Sequence, residues 1–461
     1  MPQQARSFRL TCESALQPTV EDLLSAQGFV FENDILLPAA RLLLKEPLPL
    51  GSSLASSFGY IYIQDRSSML PPLALRPAPG EAVLDMCASP GGKTGLLGLM
   101  TGDLGFTLGN EPAPKRLGTL RRNLWMQNLF CCATASFPGE NLPLPDAGWS
   151  AILLDPPCSG WGTADKHPQV LKIWSGDKIG PLAALQRKLL AEAARLMAPG
   201  ALLSYSTCTT NVEENEDQVL YACQELGLEL LPLDAPPGFS LAAPERPGCE
   251  GVWRVERGEH GQGFFVALLR KTESAPAVLP AADLPGQEDS SVETGFFVRP
   301  WERESRFVGE RRRHGARQKS AREPRSWTLL DRDALAGPWL DPQRLPPGEV
   351  AVFNNVAHFL PASRGALLPP GFAWKGFPLG KVGPDGTLRT FSHLRRLMPA
   401  VDALRGAPAL VLDDVHPLLD LLDGRSLAVD VKGPEIGLYY KDLPLCRLKV
   451  KGGRAMLPKS I

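Results

Sequence analysis

The sequence predicts an α/β fold built on a Rossmann-like, parallel sheet, with a small α+β segment before it and a β-rich region after it. Three observations lead there. Between residues 81 and 271 short apolar runs alternate with helical stretches, the pattern of repeated βαβ units. The first of these runs, "EAVLDMCAS", passes straight into a Gly-rich turn. Two later runs end in "DPPCSG" and "STCT", and the carboxyl ends of strands are where an open α/β sheet gathers its ligand groups.

The elements follow in order. Residues 1–65 form the small leading segment, with a helix expected over Thr19–Gln27, Thr19 as its cap and Gly28 as its stop. "SSFGYIYIQDRSS" alternates Tyr60 and Tyr62 with Ile61 and Ile63, which suits a strand. Residues 66–271 hold the main domain. Its strands are "EAVLDMCAS", "FTLGNE", "SAILLDPP", "ALLSYSTC" and, late, "GQGFFVALLRK". Its helices are "KTGLLGLM", "PKRLGTLRRNLWMQN", "GPLAALQRKLLAEAARLM" and "VEENEDQVLYACQEL". Residues 272–326 change character: a polar, acidic, Pro/Ala-rich linker precedes a basic stretch over 299–325 with aromatics interleaved. Such a stretch suits a phosphate-facing arm as well as a solvated one. Residues 327–461 contain short strands and turns and predict a β-rich accessory region.

Composition narrows the class. With 461 residues, 44% hydrophobic and 21% charged, the chain is long enough for two or three domains with their own cores. A net charge of -1 leaves any nucleic-acid contact to local patches. Nine cysteines without a C-x-x-C pair point to a reducing compartment, hence the cytoplasm. The six histidines do not cluster with cysteines or carboxylates, so no metal is expected. No apolar core of a signal peptide and no run of about 18 apolar residues is present, so no membrane association is expected.

Chemistry concentrates at three strand ends. Cys87-Ala88-Ser89-Pro90-Gly91-Gly92-Lys93 follows one strand and opens a helix, and its small residues let backbone amides approach a ligand closely. Glu111 ends the next strand, where an acidic side chain accepts from ribose hydroxyls. The glycines depart from G-x-G-x-x-G, which favours an adenosyl cofactor without phosphates. Asp155 and Cys158 lie at the end of "AILLD", and Cys208 at the end of "ALLSYST". Asn211 and Glu214 suggest a capping box, which places Cys208 just before a helix N-terminus that favours a thiolate. A lone cysteine is usually a small buried hydrophobe; two at the ends of candidate neighbouring strands suit covalent catalysis. A thiolate adding to carbon 6 of cytosine makes carbon 5 nucleophilic toward a sulfonium methyl, and Asp155 can hydrogen-bond ring nitrogen 3.

"LDMCASPGGKT", "NEPAPKR", "LLDPPCSGWGT" and "YSTCTTNVEENE" resemble, in order and spacing, the successive motifs of the Nop/Sun RNA cytosine-5 methyltransferases. The resemblance covers about residues 55–271. It implies a class I methyltransferase domain using S-adenosylmethionine, with Cys208 as nucleophile and Cys158 assisting product release. It implies that Cys87 to Lys93, Glu111 and Asp155 line the cofactor site. It also places Lys93 near the target base, Lys166 on RNA phosphate, and Arg116 either on phosphate or bracing Glu111. An acidic residue for the adenine amino group is wanting; Ser136 or Glu140 stands nearest. "GFPLGKV" and "GLYYKDLPLCRLKVKGG" resemble the accessory and PUA-like RNA-binding parts of the bacterial RsmF-like branch. That branch implies 16S ribosomal RNA, or the small ribosomal subunit, as substrate; a monomer is expected. Transfer RNA or DNA cytosine as substrate, and a silent RNA-binding assembly factor, are the alternative expectations.

Overall fold

The computed structural model describes residues 6–164, 167–174, 179–258, 261–272, 328–404 and 406–458. Lys166 and the basic stretch 299–325 lie outside them. The leading segment contains β1 (Arg6–Leu10), α1 (Gln17–Ser25), β2 (Val30–Asn33), β3 (Ala40–Lys45), α2 (Leu54–Ser57) and β4 (Ile61–Ile63). Its strands pair antiparallel in the order β2-β3-β1-β4. The helix starts two residues before the expected cap. Thr19 lies inside α1 and its hydroxyl instead donates to Asp442 at 2.8 Å, a partner from the far end of the chain.

The main domain follows with α3 (Leu70–Leu75), β5 (Ala82–Asp85), α4 (Gly92–Thr101), β6 (Phe106–Asn110), α5 (Pro114–Met126), β7 (Cys132–Ala135) and β8 (Trp149–Leu154). Then come α6 (Val170–Ile173), α7 (Gly180–Leu196), β9 (Met197–Thr207), α8 (Glu216–Glu225), β10 (Leu228–Leu231), β11 (Leu241–Ala242), β12 (Trp253–Val255) and β13 (Phe264–Lys271). Strands β7-β6-β5-β8-β9 run parallel in that spatial order. They read as near-continuous apolar runs because helices cover both faces. The chain winds outward from β5 to β7, then resumes beside β5 with β8. The carboxyl ends of β5 and β8 therefore flank the topological switch point, where such sheets bind ligands.

The sheet is not wholly parallel. β13 pairs antiparallel with both β9 and β10. The excursion through β11 and β12 brings the chain back from the opposite end of the sheet, so β13 enters the gap between β9 and β10 reversed.

The C-terminal region forms two further sheets. One contains β14 (Thr328–Leu330), β15 (Gly348–Phe353), β16 (Val356–Pro361), β18 (Phe377–Val382) and β19 (Leu388–Thr390), while the short β17 (Trp374–Lys375) leaves it to pair with β7. The other contains β20 (Ala409–Leu412), β21 (Leu427–Ala428), β22 (Glu435–Tyr440), β23 (Leu443–Lys451) and β24 (Arg454–Met456), with α9 (His416–Leu422) against it.

Packing ties these parts together. Phe8, Leu10, Val20, Leu24 and Tyr60 of the leading segment share one core with Leu418, Leu438, Leu443 and Leu448 of the last sheet. Arg395 donates to the carbonyls of Met126 and Gly59, both at 2.6 Å, and its guanidinium lies 4.4 Å from the Tyr60 ring centroid. Trp374 meets Phe106 edge-on at 6.2 Å, and Phe372 stacks on Phe137 at 4.8 Å. The main domain is thus gripped at both its α5/β7 edge and its amino-terminal side.

Leu438 is fully buried in the shared core, so Leu438→Ala should cost about 2–5 kcal/mol. Limited proteolysis should then accelerate within the leading segment as well as within the last sheet. Acceleration confined to the last sheet would contradict a common core.

Candidate active site

The first half of the site is built where β5 meets α4. Gly91, with φ +105°, is the N-cap of α4, and a Cβ there would lie 3.0 Å from Leu120 Cδ1. The turn therefore needs a residue without a side chain. Asp85 ends β5 and is buried. Its Oδ2 accepts from Thr94 Oγ1 at 2.7 Å, while its Oδ1 has no hydrogen-bond partner. Burial pushes its carboxyl up to about 7, opposed by the Thr94 hydrogen bond. The Cys87 thiol is also pushed well up, by burial first and then by the carboxylates of Asp85 and Glu111, so Cys87 is an inert wall of the turn.

Glu111 follows β6 and is buried. Its Oε1 accepts from the Ala113 N–H at 2.9 Å and its Oε2 lies 3.3 Å from Arg116 Nε. Arg116 also donates to the Ser89 carbonyl, and Ser89 Oγ donates to the Arg116 carbonyl, each at 3.1 Å. Arg116 thus braces Glu111 and ties α5 to the Gly-rich turn. This cradle fits an adenosyl amino acid. The unpartnered oxygen of Asp85 suits an ammonium group, and Glu111 suits a pair of ribose hydroxyls. The arginine beside the turn is already engaged by Glu111 and a carbonyl, which disfavours a pyrophosphate.

The second half forms beyond β8 and β9. These strands are hydrogen-bonded neighbours, so the residues following them emerge side by side. Cys158 Sγ and Cys208 Sγ lie 3.3 Å apart. The Cys158 thiol is held well above the usual range, first by its hydrogen bond with Cys208, then by burial and the nearby carboxylates of Glu214 and Asp155. Asp155 Oδ2 accepts from Lys93 Nζ at 2.7 Å, and its Oδ1 from Ser206 Oγ at 2.8 Å. Lys93 also lies 5.4 Å from the Phe264 ring centroid. One chain of contacts therefore runs from α4 through Lys93 and Asp155 to Ser206, two residues before Cys208.

A buried carboxylate fixes the two cysteine loops. Glu214 accepts from the Ser159 N–H at 3.0 Å, from Gln186 Nε2 at 2.9 Å and from Asn211 Nδ2 at 2.5 Å. Ser159 Oγ and Thr209 Oγ1 share a hydrogen bond of 2.7 Å. Gly162 closes the clasp: its N–H donates to the Cys208 carbonyl at 3.0 Å, and a Cβ on it would sit 2.0 Å from the Gly263 oxygen.

The expected helix N-terminus after Cys208 is displaced. α8 begins only at Glu216. Asn211 Oδ1 does accept from the Glu214 N–H at 2.9 Å, but the Glu214 carboxylate turns inward to Ser159 and Gln186. Asn215 exchanges hydrogen bonds with Thr207 Oγ1 and the Thr209 carbonyl, which holds residues 209–215 out of the helix. The helix dipole falls off within its first turn, so it is not what conditions Cys208.

The structure thus gathers Lys93, Asp155, Cys158 and Cys208 on one side, and places Cys87 to Gly92 with Glu111 on the adjoining wall. The sequence reading passed over Asp85, Ser206 and Phe264. An acid ending the apolar run "AVLD" just before the Gly-rich turn was a readable signal for Asp85. Nothing local marked Phe264, which is brought in by the reversed β13.

A Rossmann-like parallel core flanked by the reversed β13, a Gly-rich turn after its first strand and an acidic residue after its second define a class I S-adenosylmethionine-dependent methyltransferase fold. Residues 72–270 match the model of the 16S rRNA methyltransferase RsmB/F family. The chain is 38% identical over 250 residues to ribosomal RNA small subunit methyltransferase F from Salmonella agona, covering 51% of this chain and 50% of that protein. It is 39% identical over 273 residues to the protein of the same name from Salmonella paratyphi A, covering 54% of each. The chain therefore spans about half the length of the curated relatives it matches. The crystal structure of NSun6 from Pyrococcus horikoshii with SFG shares the fold, with a TM-score of 0.51 at 20% identity over 59% of this chain and 92% of that one.

The Asp85 carboxyl lies above its unfolded value of 3.8. The folded state therefore holds a proton that the unfolded chain has released, and the unliganded protein loses stability as pH rises from about 4 to about 7. A ligand ammonium facing Asp85 favours the ionised form, so S-adenosylhomocysteine should bind more tightly as pH rises from about 6 to about 8. Calorimetric titration should show this trend, and Asp85→Asn should weaken binding and flatten it. An unaltered trend in Asp85→Asn would remove Asp85 from the cofactor site.

Proposed function

We propose that this chain transfers a methyl group from S-adenosylmethionine to carbon 5 of a cytosine in RNA, through a covalent bond between Cys208 and the base. The observation that carries the reading is the pair of sulfurs 3.3 Å apart at the ends of neighbouring strands. The names of the matched family and relatives favour 16S ribosomal RNA as the substrate.

The bound cofactor supplies an electrophilic methyl on a sulfonium. All else falls to the protein and the base. A cytosine turned out of any stack lies against Cys208 with Asp155 and Lys93 beside it. The Cys208 thiolate bonds to carbon 6, the electron pair of the 5,6 double bond moves to carbon 5, and carbon 5 accepts the methyl. Asp155, fixed at one oxygen by Lys93 and at the other by Ser206, orients the base edge at nitrogen 3. Lys93 keeps positive charge close to the ring as electron density accumulates there. A proton then leaves carbon 5 to water, the bond between sulfur and carbon 6 breaks, and the ring regains its aromaticity. The S–H of Cys158 hydrogen-bonds the departing Cys208 sulfur and stabilises its negative charge. Two thiols in contact suit this division of labour: the one that keeps its proton assists the one that gives it up.

Cys208→Ala should abolish methyl transfer to RNA, a loss of several orders of magnitude, while S-adenosylhomocysteine affinity stays close to that of the parent. Tritium transfer from labelled cofactor and calorimetry provide the two readings. Wild-type turnover in Cys208→Ala would sink the mechanism.

Cys158→Ala should instead slow the release step and accumulate a covalent complex, visible as a slow-migrating RNA–protein band on a denaturing gel. The band should vanish in the double variant with Cys208→Ala. A Cys158→Ala enzyme that turns over without any adduct would assign the release role elsewhere.

A further inference from the structure

α5 carries four cations, Lys115, Arg116, Arg121 and Arg122, and no acid. Arg116 is used inside the site by Glu111. Lys115 and Arg122 are exposed and seven residues apart, so they share one face of the helix. Arg121 leans the other way, its Nε donating to Thr134 Oγ1 at 2.9 Å. Thr134 of β7 is the register partner of Lys375 in β17. The accessory region therefore delivers a lysine to the same threonine that holds an arginine of the main domain.

Positive charge gathers at this seam. Among the described residues neither Arg121 nor Lys375 makes an ion pair. Lys375 is half-buried, and both groups are held below their ordinary values by burial, Lys375 further by Arg121 itself. His358, on the adjoining β16, has a ring lowered to about 4, by burial first and then by these two cations, and it brings no opposing charge. Desolvating like charges side by side is costly unless an anion joins them.

The patch continues outward. Lys375 Nζ lies 6.0 Å from the Phe353 ring centroid. Phe353 pairs with Val356, Val356 with Lys381, and Lys381 with Arg389. Directly paired residues on neighbouring strands project to the same face, and here it is the face away from the core formed by Ala357, Phe359 and Leu379. Lys381 and Arg389 are exposed like charges set opposite one another, an arrangement that destabilises a bare sheet. The acids nearby are occupied. Asp385 Oδ1 accepts from Thr387 N–H and Oγ1, with Arg389 only a minor influence on it, and Glu349 is bonded to Arg364.

We propose that the exposed face of α5 and the outer face of the β15-β16-β18-β19 sheet form one continuous track for the phosphodiester backbone of a single RNA strand, engaged by Lys115, Arg122, Arg121, Lys375, Lys381 and Arg389. This rests on the RNA reading given above and adds to it which surface holds the substrate. Charge complementarity selects the occupant: a row of cations that make no ion pair among the described residues suits a polyanion. The track starts beside Glu111. Three strand spacings, roughly 15 Å, separate the β6 end from the β9 end, so the strand on the track flanks the target cytosine rather than containing it.

The test is binding of a short single-stranded oligoribonucleotide by the full chain across a salt series. Each phosphate contact contributes a slope of about 0.7 in log K against log salt for single strands. In Lys375→Gln/Lys381→Gln/Arg389→Gln the slope should fall by about 2, and affinity at moderate salt by roughly tenfold. Lys381→Gln alone, at an exposed position, should lower the slope by about 0.7 and serves if the triple variant folds poorly. Arg270→Gln, at the amino-terminal end of the sheet beside Leu202, should leave the slope unchanged. A wild-type chain that binds RNA with a salt slope fully retained in both lysine variants overturns the track and leaves the catalytic reading standing. A wild-type chain that fails to bind RNA at low salt overturns both.

Discussion

The site depends on one buried carboxylate. Glu214 sits between two loops that approach from different strands and would otherwise have little reason to hold a fixed distance. An ionised carboxylate removed from water is tolerated only when its lone pairs are satisfied. Here donors from Ser159, Asn211 and Gln186 supply that requirement. Because Ser159 adjoins Cys158 and Asn211 lies three residues beyond Cys208, satisfying the carboxylate also sets the approach of the two sulfurs. Gln186 extends the same network to α7, donating to the Pro157 carbonyl at 2.9 Å as well. The loops thus inherit the rigidity of a long helix and of the central sheet. A reactive geometry held by packing and hydrogen bonds on regular elements is more reproducible than one carried by loops alone.

Electrostatics divide the site into two compartments. On the cofactor side, burial works against negative charge at Asp85 and Cys87. On the side of the two cysteines, Lys93 joins Asp155 in an ion pair that is largely but not wholly shielded from solvent. Lys93 extends from the first turn of α4, immediately after the Gly-rich turn, and so links the compartments physically. The side chain that follows the cofactor cradle is the one that reaches the carboxylate beside the two sulfurs. The Lys93–Asp155 salt bridge thus connects the turn to the loops that carry the two cysteines.

The flanking regions act as one clamp. The leading segment and the last sheet share a core, although nearly the whole chain separates them. β17 adds itself to the edge of the central sheet at β7. An exposed strand edge invites unwanted pairing, and covering it with the accessory region removes that hazard. It also fixes the accessory region's orientation relative to α5. Ion pairing of Arg396 with Asp103 at 2.6 Å strengthens the same seam.

Local chemistry was legible in the sequence. Apolar runs punctuated by glycine and proline disclosed the Rossmann-like core, because strands buried on both faces cannot alternate. The spacing of Cys87 to Lys93, Glu111, Asp155, Cys158 and Cys208 relative to those runs placed each at a strand end. The winding rules of an α/β sheet then bring such ends together. What no local pattern carries is contact across long separations. The inward turn of Glu214, the delayed start of α8, the reversed β13 with Phe264 and the core joining the first and last sheets all depend on partners tens to hundreds of residues away. A side chain that reads as a cap can serve a distant loop instead, because desolvation penalties are settled only when the whole interior is assembled.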